Sequence, residues 1–165
     1  WLAGRTGCGL CGVDAIDDAV RPAVSVSSQL RVQRSALFTA GAALDARQTL
    51  NAETRTVHAA AWATSDGALR VVREDVGRHN ALDKVIGALV RAQVEASSGF
   101  VVVTSRASFE LVQKVAVAGI SLIAAVSRPT GLAIRLADDA GIALVGLLRG
   151  TSANVYAHSE RILPG

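Results

Sequence analysis

The sequence contains no methionine, few aromatic residues and only two cysteines among its 165 residues. Because translation starts at methionine, we expect this sequence to begin within a longer protein. Aromatic residues make up 4% of the chain, so alanine, valine, leucine and isoleucine must fill any core. Two cysteines are too few for the disulfide framework of a small secreted domain. These absences favour a globular domain with an aliphatic core.

Long apolar runs are also missing, although 50% of the residues are hydrophobic. A membrane-spanning helix needs about 18 or more consecutive apolar residues, and no such run occurs. No basic stretch followed by an apolar one opens the sequence, so no secretory signal is visible. We therefore expect no membrane association and a cytoplasmic location, where thiols stay reduced.

The basic residues lack the aromatic neighbours typical of nucleic-acid grooves. The net charge is +3, and fifteen of the seventeen basic residues are arginines dispersed along the chain. We therefore expect no nucleic-acid partner. Arginine suits bidentate binding of phosphate or carboxylate, although a solvated arginine-rich surface explains most of these positions equally well.

The order of apolar patterns predicts a single α/β domain over residues 1–165. Asp66-Gly67 between two apolar runs predicts a hairpin. The second half then alternates strand, helix, strand, helix, strand, which favours a largely parallel sheet with helices on both faces, a three-layer α/β/α sandwich. The individual predictions are a glycine-rich flexible loop over residues 1–12, helices over 35–51, 76–93, 107–119 and 129–141, strands over 99–105, 120–127 and 142–148, and a tail over 149–165 with no clear repeat or linker.

Four arginines follow successive predicted strands: Arg78, Arg106, Arg128 and Arg149. They would lie along one edge if those strands run parallel, and ligands of open α/β sheets bind at the carboxyl ends of strands. Hydroxyl groups from Ser105, Ser127 and Thr151, together with free N–H groups at helix starts, would favour an anion there. The edge is a candidate phosphate site, although surface loops also gather polar residues without any function.

Cys8 and Cys11 lie three positions apart in the stretch GCGLCG. A structural zinc site needs four ligands, and His58 and His79 could complete one, but their spacing gives no support for it. A mobile glycine-rich loop also suits a thiolate that must reach two partners, and nearby arginine would lower the thiol pKa. Spacing alone does not decide between metal binding and sulfur chemistry.

The three histidines carry different expectations. His79 opens a predicted helix beside Arg78, where a cation is disfavoured, so a neutral imidazole could bind a ligand, act as a base or simply pack. His58 lies in an alanine-rich predicted strand and is expected to face the core or a ligand. His158, near the end of the sequence, is expected to be solvated.

Several stretches together resemble the formate dehydrogenase accessory sulfurtransferase family, also called FdhD. The resemblance covers nearly the whole sequence in order. It rests on the stretches TGCGLCG, VHAAAW, REDVGRHNALDKVIG, TSRASFELVQKVAVAGI, AVSRPTGLAIRLADDAGI and LVGLLRGTSANVYAHSERI. Members of that family carry a further region before the cysteine loop, which agrees with the expectation that this sequence begins within a longer protein.

The resemblance implies a fold similar to that of cytidine deaminases. Zinc deaminases need a histidine followed by a glutamate, and two cysteines before and within the next helix. The matching positions here carry His79 with Ala81, and Ser105 with Ser108. Deaminase chemistry therefore lacks its general acid/base and two of its metal ligands in this sequence.

The family resemblance also implies a function. Members accept sulfur from a cysteine desulfurase and deliver it to the bis(molybdopterin guanine dinucleotide) molybdenum cofactor that formate dehydrogenase needs, and they are typically homodimers. By motif position, Cys8 matches the persulfide-carrying cysteine and Cys11 the second cysteine. The cofactor-binding segment matches Leu147, Leu148, Arg149, Gly150, Thr151 and Ser152.

We expect the site to take GDP as a mimic of the cofactor's nucleotide end. The edge residues that the strand pattern adds as candidates for cofactor binding are Arg78, His79, Ser105, Arg106 and Ser127. The alternative is a non-catalytic module that binds the molybdenum cofactor or a guanine nucleotide, with cysteines that are structural or hold a metal.

Overall fold

The computed structural model of the protein describes residues 24–164. Its helices and strands are β1 (Val32–Gln33), α1 (Arg34–Ala46), α2 (Thr49–Thr54), β2 (His58–Thr64), β3 (Leu69–Asp75), α3 (Arg78–Arg91), β4 (Gly99–Val103), α4 (Phe109–Val117), β5 (Leu122–Ala125), α5 (Gly131–Ala140), β6 (Ala143–Arg149), β7 (Ser152–Ala157) and β8 (Ile162–Leu163). Short 3₁₀ turns lie at Ala96–Ser98 and Ser159–Arg161.

Six strands form the central sheet in the order β3-β2-β4-β5-β6-β7, and β1 pairs separately with β8. The neighbours β4, β5 and β6 are parallel. Strand β3 shares their direction because it is antiparallel to β2, which is itself antiparallel to β4. Four of the six strands thus run the same way, with β2 and β7 opposed. The edge where β3, β4, β5 and β6 end is called here the carboxyl edge.

Alternate residues of each strand face opposite layers of helix. On β2, Ala59, Ala61 and Ala63 pack in the cluster that contains Leu37 and Leu44 of α1. Between them, Ala60 and Trp62 belong to the cluster formed with α3, α4 and α5. Helices therefore cover both faces of the sheet, and the predicted α/β/α sandwich with a mostly parallel sheet is confirmed.

The hairpin of β2 and β3 is also present where the sequence predicts it. The carboxylate of Asp66 accepts a hydrogen bond from the backbone N–H of Ala68. Gly67 has a φ of +88°, and a Cβ there would collide with the backbone of Ala36. The turn therefore needs glycine both for its left-handed backbone and for its close approach to α1.

The predicted helix over residues 35–51 is wrong as a single element. The structure ends α1 at Ala46 and starts the short α2 at Thr49. Glu74 on β3 explains the break, because its carboxylate accepts from the backbone N–H groups of Leu50 and Asn51, both at 2.9 Å. Leu50 is 42% exposed and does not belong to the apolar face of α1.

The tail over residues 149–165 contains strands that the sequence patterns do not predict. It contains β7, a 3₁₀ turn and β8, which joins β1 at the start of the described chain. Strand β7 lies at the border of the sheet and is largely exposed, so its sequence lacks the continuous apolar run of the inner strands. Within residues 24–164, no helix combines the length and the apolarity needed to cross a membrane.

Candidate functional site

The carboxyl edge gathers the starts of three helices. Helix α3 follows β3, α4 follows β4 and α5 follows β5, so their first turns all lie at this edge and on the same face of the sheet. Free N–H groups and the positive ends of helix dipoles favour an electron-rich ligand at such positions. The predicted strand-end placement of the four arginines agrees with this topology, since β3, β4, β5 and β6 share one direction.

The arginines differ in exposure. Arg106, Arg128 and Arg149 are exposed, whereas Arg78 is half-buried as the first residue of α3. The three exposed guanidinium groups follow three adjacent parallel strands, about 5 Å apart from one strand to the next. They form a cationic rim that can meet phosphate oxygens without the cost of desolvating a buried charge.

A strained turn joins β6 to β7 at this edge. Gly146 pairs with Asn154 and Arg149 with Ser152, so Leu147 and Leu148 form a bulge between them. Leu147 has a φ of 54°, a left-handed conformation that costs a non-glycine residue energy. Strain of this kind gathers at functional sites, where the surrounding structure holds it in place.

The turn is fixed to the neighbouring strand connection. The N–H of Leu147 donates to the carbonyl oxygen of Ser127 at 3.2 Å. Gly146 allows this contact, because a Cβ there would lie 2.8 Å from Pro129 and 3.1 Å from the same carbonyl oxygen. The loop after β5 and the turn after β6 therefore form one unit.

The six residues of the predicted cofactor-binding segment divide into three groups. Leu148 is buried against α1, so only its backbone is available to a ligand. Arg149, Gly150, Thr151 and Ser152 are exposed, and Leu147 is half-buried. Gly150 has a φ of 54° and open space where a Cβ would stand. Side-chain contacts in this segment thus fall to Arg149, Thr151, Ser152 and the exposed part of Leu147.

Asp75, the last residue of β3, organises the start of α3. Its carboxylate accepts hydrogen bonds from the N–H of Gly77, from Asn80 and from the ammonium of Lys84. The contact with Lys84, followed by the other two hydrogen bonds, lowers the pKa of Asp75 to about 2. The carboxylate therefore stays charged at neutral pH and holds the loop that presents Arg78 and His79.

Four polar side chains at the first turns of α3 and α4 form what is called here the helix-start cluster: Arg78, His79, Ser108 and Glu110. Each has a buried polar atom with no hydrogen-bond partner among residues 24–164. An unsatisfied buried polar group costs about 1–3 kcal/mol. Native proteins rarely leave such groups together, so the cluster is a candidate for ligand contact.

His79 is held in its neutral form. Burial lowers its pKa, and the neighbouring charge of Arg78 lowers it further, while Glu110 and Asp83 act weakly in the opposite sense. At neutral pH the imidazole therefore has one protonated and one free nitrogen, so it can donate or accept a hydrogen bond. His58 is half-buried and pairs with Asp75 across the sheet, which places it at the same edge.

Two further predicted residues lie nearby. Ser105 is buried, and its hydroxyl donates to the carbonyl oxygen of Arg106 at 3.1 Å. Ser127 is half-buried and contributes the carbonyl oxygen that accepts from Leu147. Both hold loops of the carboxyl edge in place, in addition to any contact with a ligand.

Sequence patterns missed Glu110. It lies in the first turn of α4, where a carboxylate is favoured by the helix dipole, and this accounts for its position without any ligand. Its natural partner at i+4, Lys114, instead pairs with Asp83 of α3, at 2.8 and 2.9 Å. Only the folded structure reveals that Glu110 has no salt bridge to a cation among residues 24–164.

Cys8 and Cys11 lie outside the described residues, as does the predicted flexible loop over residues 1–12. Within residues 24–164, no three His, Asp or Glu side chains gather closely enough to hold a metal ion.

Comparison with known proteins identifies the family of this chain. The family model described as FdhD/NarQ matches residues 2–163, nearly the whole chain. The chain belongs to the FdhD/NarQ family. Its relatives in the family include the sulfur carrier protein FdhD of Xanthomonas campestris pv. campestris (strain B100), which is 53% identical over 161 residues. The protein of the same name from Bordetella petrii is 50% identical over 161 residues.

The alignment with the Xanthomonas protein covers 98% of this chain but 57% of the relative, so the chain spans little more than half of that protein's length. A solved structure described as a formate dehydrogenase accessory protein from Desulfotalea psychrophila has a similar fold. The TM-score is 0.79 at 30% identity, and the match covers 85% of this chain and 62% of that one. The expected likeness to cytidine deaminases stays a prediction.

Proposed function

We propose that this protein is a sulfurtransferase that carries sulfur as a persulfide. It would take the sulfur from a cysteine desulfurase and deliver it to the bis(molybdopterin guanine dinucleotide) cofactor, for use by formate dehydrogenase. The observation that carries this proposal is the C-x-x-C pair, Cys8 and Cys11, inside a chain that matches sulfur carrier proteins over 98% of its length. The accessory-protein name of the structural relative supports formate dehydrogenase as the client.

Two thiols are enough for both halves of the transfer. In loading, the thiolate of Cys8 attacks the outer sulfur of the desulfurase persulfide, and the desulfurase cysteine leaves as a thiolate. In delivery, the thiolate of Cys11 attacks the inner sulfur of the Cys8 persulfide. Hydrosulfide leaves toward the client, and a Cys8–Cys11 disulfide remains for an external dithiol to reduce. Sulfur and electrons balance in both steps.

The carboxyl edge has the chemistry to hold the nucleotide end of that cofactor, which is a substrate here. Exposed Arg106, Arg128 and Arg149 supply charge-assisted contacts to pyrophosphate. The helix starts supply N–H groups, and the turn from Leu147 to Ser152 brings an exposed backbone to the same place. GDP is the simplest mimic, and the proposal includes a homodimer and the cytoplasm as its setting.

Persulfide loading tests the proposal directly. The protein is incubated with a cysteine desulfurase and cysteine, and the added sulfur is located by peptide mass spectrometry. We expect a gain of one sulfur atom on Cys8 in the unmutated protein and in Cys11→Ala, and none in Cys8→Ala. Loading that persists in Cys8→Ala would contradict the assignment. Stoichiometric zinc that is lost on Cys8 substitution would instead favour a binding module with metal-holding cysteines.

A further inference from the structure

A segment without helix or strand, residues 24–31, leads into β1 and is called here the strap. From Ser25 onward its exposed residues alternate with Val26, Ser28 and Leu30, of which only Val26 is buried. A segment with so little apolar burial makes few contacts of its own, and ordering it costs conformational entropy. Hydrogen bonds to the rest of the fold therefore have to hold the strap in place.

Those bonds attach the strap to the end of the sheet opposite the carboxyl edge. The N–H of Val26 donates to the carbonyl oxygen of Ala140, the last residue of α5, at 2.8 Å. The hydroxyl of Ser28 donates to the carbonyl oxygen of Ser97, in the 3₁₀ turn before β4, at 3.5 Å. Because α5 leads into β6, and β5 lies between β4 and β6, the strap crosses the start of β5.

Arg161 is the side chain that fixes the strap. Its Nη1 donates to the carbonyl oxygens of Ser28 at 2.6 Å and Leu30 at 3.4 Å. Its Nε donates to the carbonyl oxygen of Gly141, between α5 and β6, at 3.1 Å. Arginine suits this arrangement because its donors form a rigid planar fork, whereas lysine offers a single ammonium group. One guanidinium thus joins the strap to a connection of the central sheet.

The turn that carries Arg161 is itself held in place. The N–H of Arg161 donates to the carbonyl oxygen of His158 at 3.2 Å, and the imidazole of His158 contacts the carbonyl oxygen of Asp138 on α5 at 2.9 Å. Strand β8 follows directly and pairs with β1, where Val32 lies opposite Ile162. The strap is therefore fixed along its length by Arg161 and at its far end by β8.

The two cysteines precede the strap in the sequence. Cys8 lies sixteen residues and Cys11 thirteen residues before Val24. An extended chain spans at most about 3.5 Å per residue, so Cys11 lies within about 45 Å of the strap. The length of β6 separates the two ends of the sheet by about 20 Å. The thiols can therefore reach either end of the sheet, and the strap sets the point from which they do so.

We propose that Arg161 is a positioning residue for sulfur transfer, which holds the strap and thereby limits how far Cys8 and Cys11 stray from the cofactor that receives the sulfur. The inference rests on the proposed function, because the place of the cysteines matters only if they carry sulfur. Without Arg161, the next fixed point is Val32, and the tether to Cys11 grows from thirteen to 21 residues. Effective concentration falls as about the −3/2 power of tether length, so delivery should slow about twofold.

Pulsed EPR tests the placement directly. Spin labels are attached to Cys8, in a Cys11→Ala background, and to Val117→Cys, an exposed position at the end of α4 that takes no part in holding the strap. In Arg161→Ala we expect the distances between the labels to extend to longer values. Val85→Ala, which loses buried methyl groups on α3, is the control for lost stability and should leave the distances unchanged.

Coinciding distances in Arg161→Ala and the unmutated background would overturn the inference. Arg161→Lys keeps the charge but not the planar fork, and it provides a second variant with the same expected direction, should Arg161→Ala not fold.

The kinetics of the two transfer steps provide a second test. Loading of Cys8 should be as fast in Arg161→Ala as in the unmutated protein, because the desulfurase approaches the thiol from solution. Delivery per loaded persulfide, measured as formate dehydrogenase activity recovered, should fall about twofold. Equal losses in both steps, matched by Val85→Ala, would reveal a purely structural role and contradict the inference. If Cys8 of the unmutated protein does not load at all, the proposed function is wrong, and the label distances alone decide whether Arg161 places the cysteines.

Discussion

At the carboxyl edge of the sheet, buried polar atoms of the helix-start cluster lack partners among residues 24–164. At the opposite end of the same strands, called here the amino edge, Ser121 also has a buried hydroxyl without a partner in this range, but the larger polar side chains are bonded. Arg161 donates to the carbonyl oxygens of Gly141, Ser28 and Leu30, and His158 contacts the carbonyl oxygen of Asp138 and the carboxylate of Glu160. Arginine and histidine side chains are thus paired within the chain at the amino edge, whereas Arg78 and His79 each keep an unpartnered nitrogen among residues 24–164 at the carboxyl edge.

The difference indicates which edge serves stability and which serves binding. Polar groups that are satisfied within the chain stabilise the fold by about 1 kcal/mol or more each. Groups that remain unsatisfied destabilise the free protein and gain their partners only when a ligand arrives. Left-handed backbone strain does not separate the edges, because Leu147 at the carboxyl edge and His158 at the amino edge have φ values of 54° and 52°. Substitutions at the two edges should therefore have opposite effects on stability and binding.

The largest effect is expected for Arg149→Ala. This exposed guanidinium at the end of β6 offers a charge-assisted contact to phosphate, so its loss should weaken GDP binding by about 1.5–3 kcal/mol, tenfold or more. Arg47→Ala, on the α1 face, should leave GDP affinity unchanged. Equal GDP affinities for Arg149→Ala and the unmutated protein in calorimetry would show that the phosphates bind elsewhere.

Arg161→Ala should produce the largest loss of stability at the amino edge. Its guanidinium joins the end of the chain to Ser28 at 2.6 Å and to Gly141 at 3.1 Å. Loss of these bonds should reduce the free energy of unfolding by about 1.5–3 kcal/mol, measured by urea denaturation. Arg135→Ala, an exposed position on α5, is the control and should change little. A stability loss as small as that of the control would remove the contrast between the edges.

Two helix caps allow a sharper comparison within the carboxyl edge. Thr130 caps α5, and its hydroxyl accepts from the N–H of Ala133 at 3.2 Å, so Thr130→Ala should cost about 1 kcal/mol. Ser108 caps α4 without such a bond, so Ser108→Ala should leave stability unchanged or raise it. Comparable losses in both variants, from urea denaturation, would mean that the Ser108 hydroxyl already has a structural partner.

The smallest effects concern pH. The hydrogen bond with the carbonyl oxygen of Asp138, and then Glu160, raises the pKa of His158, whereas burial lowers the pKa of His79. The stability that His158 contributes is complete below its ordinary pKa and is lost as pH rises through the raised value. The contribution of His79 is present above its ordinary pKa and is lost as pH falls through the lowered value.

Paired variants measure this difference. His158→Gln should therefore cost more stability at about pH 5 than at about pH 8, and His79→Gln should cost less at about pH 5 than at about pH 8. NMR titration should show His158 titrating at a higher pH than His79. The reverse order would contradict the assigned environments.

Local sequence patterns were sufficient for the inner parts of the fold. Continuous apolar runs identified β4 and β5, and Asp66-Gly67 identified the hairpin, because each signal depends on neighbouring residues. The border strand β7 was missed because it is half-exposed, and the break after α1 was missed because it depends on Glu74, a residue distant in sequence. Local pattern carries little information about such long-range bonds.

In the candidate site, too, only the features that depend on neighbouring residues could be predicted from the sequence. Strand-end arginines could be predicted, since topology follows from the order of elements. The unpartnered carboxylate oxygen of Glu110 could not be predicted, because Lys114, four residues later, pairs with Asp83 on another helix. His158 was expected to be solvated, but it is half-buried and hydrogen-bonded between α5 and the 3₁₀ turn.

Hydrogen–deuterium exchange with and without GDP tests the central claim most directly, because it reports on both edges at once. A ligand at the carboxyl edge should slow exchange in residues 77–80, 105–110, 127–131 and 147–152, and leave residues 158–163 at the amino edge unchanged. Slower exchange confined to the amino edge, or no change at the carboxyl edge under saturating GDP, would contradict the account.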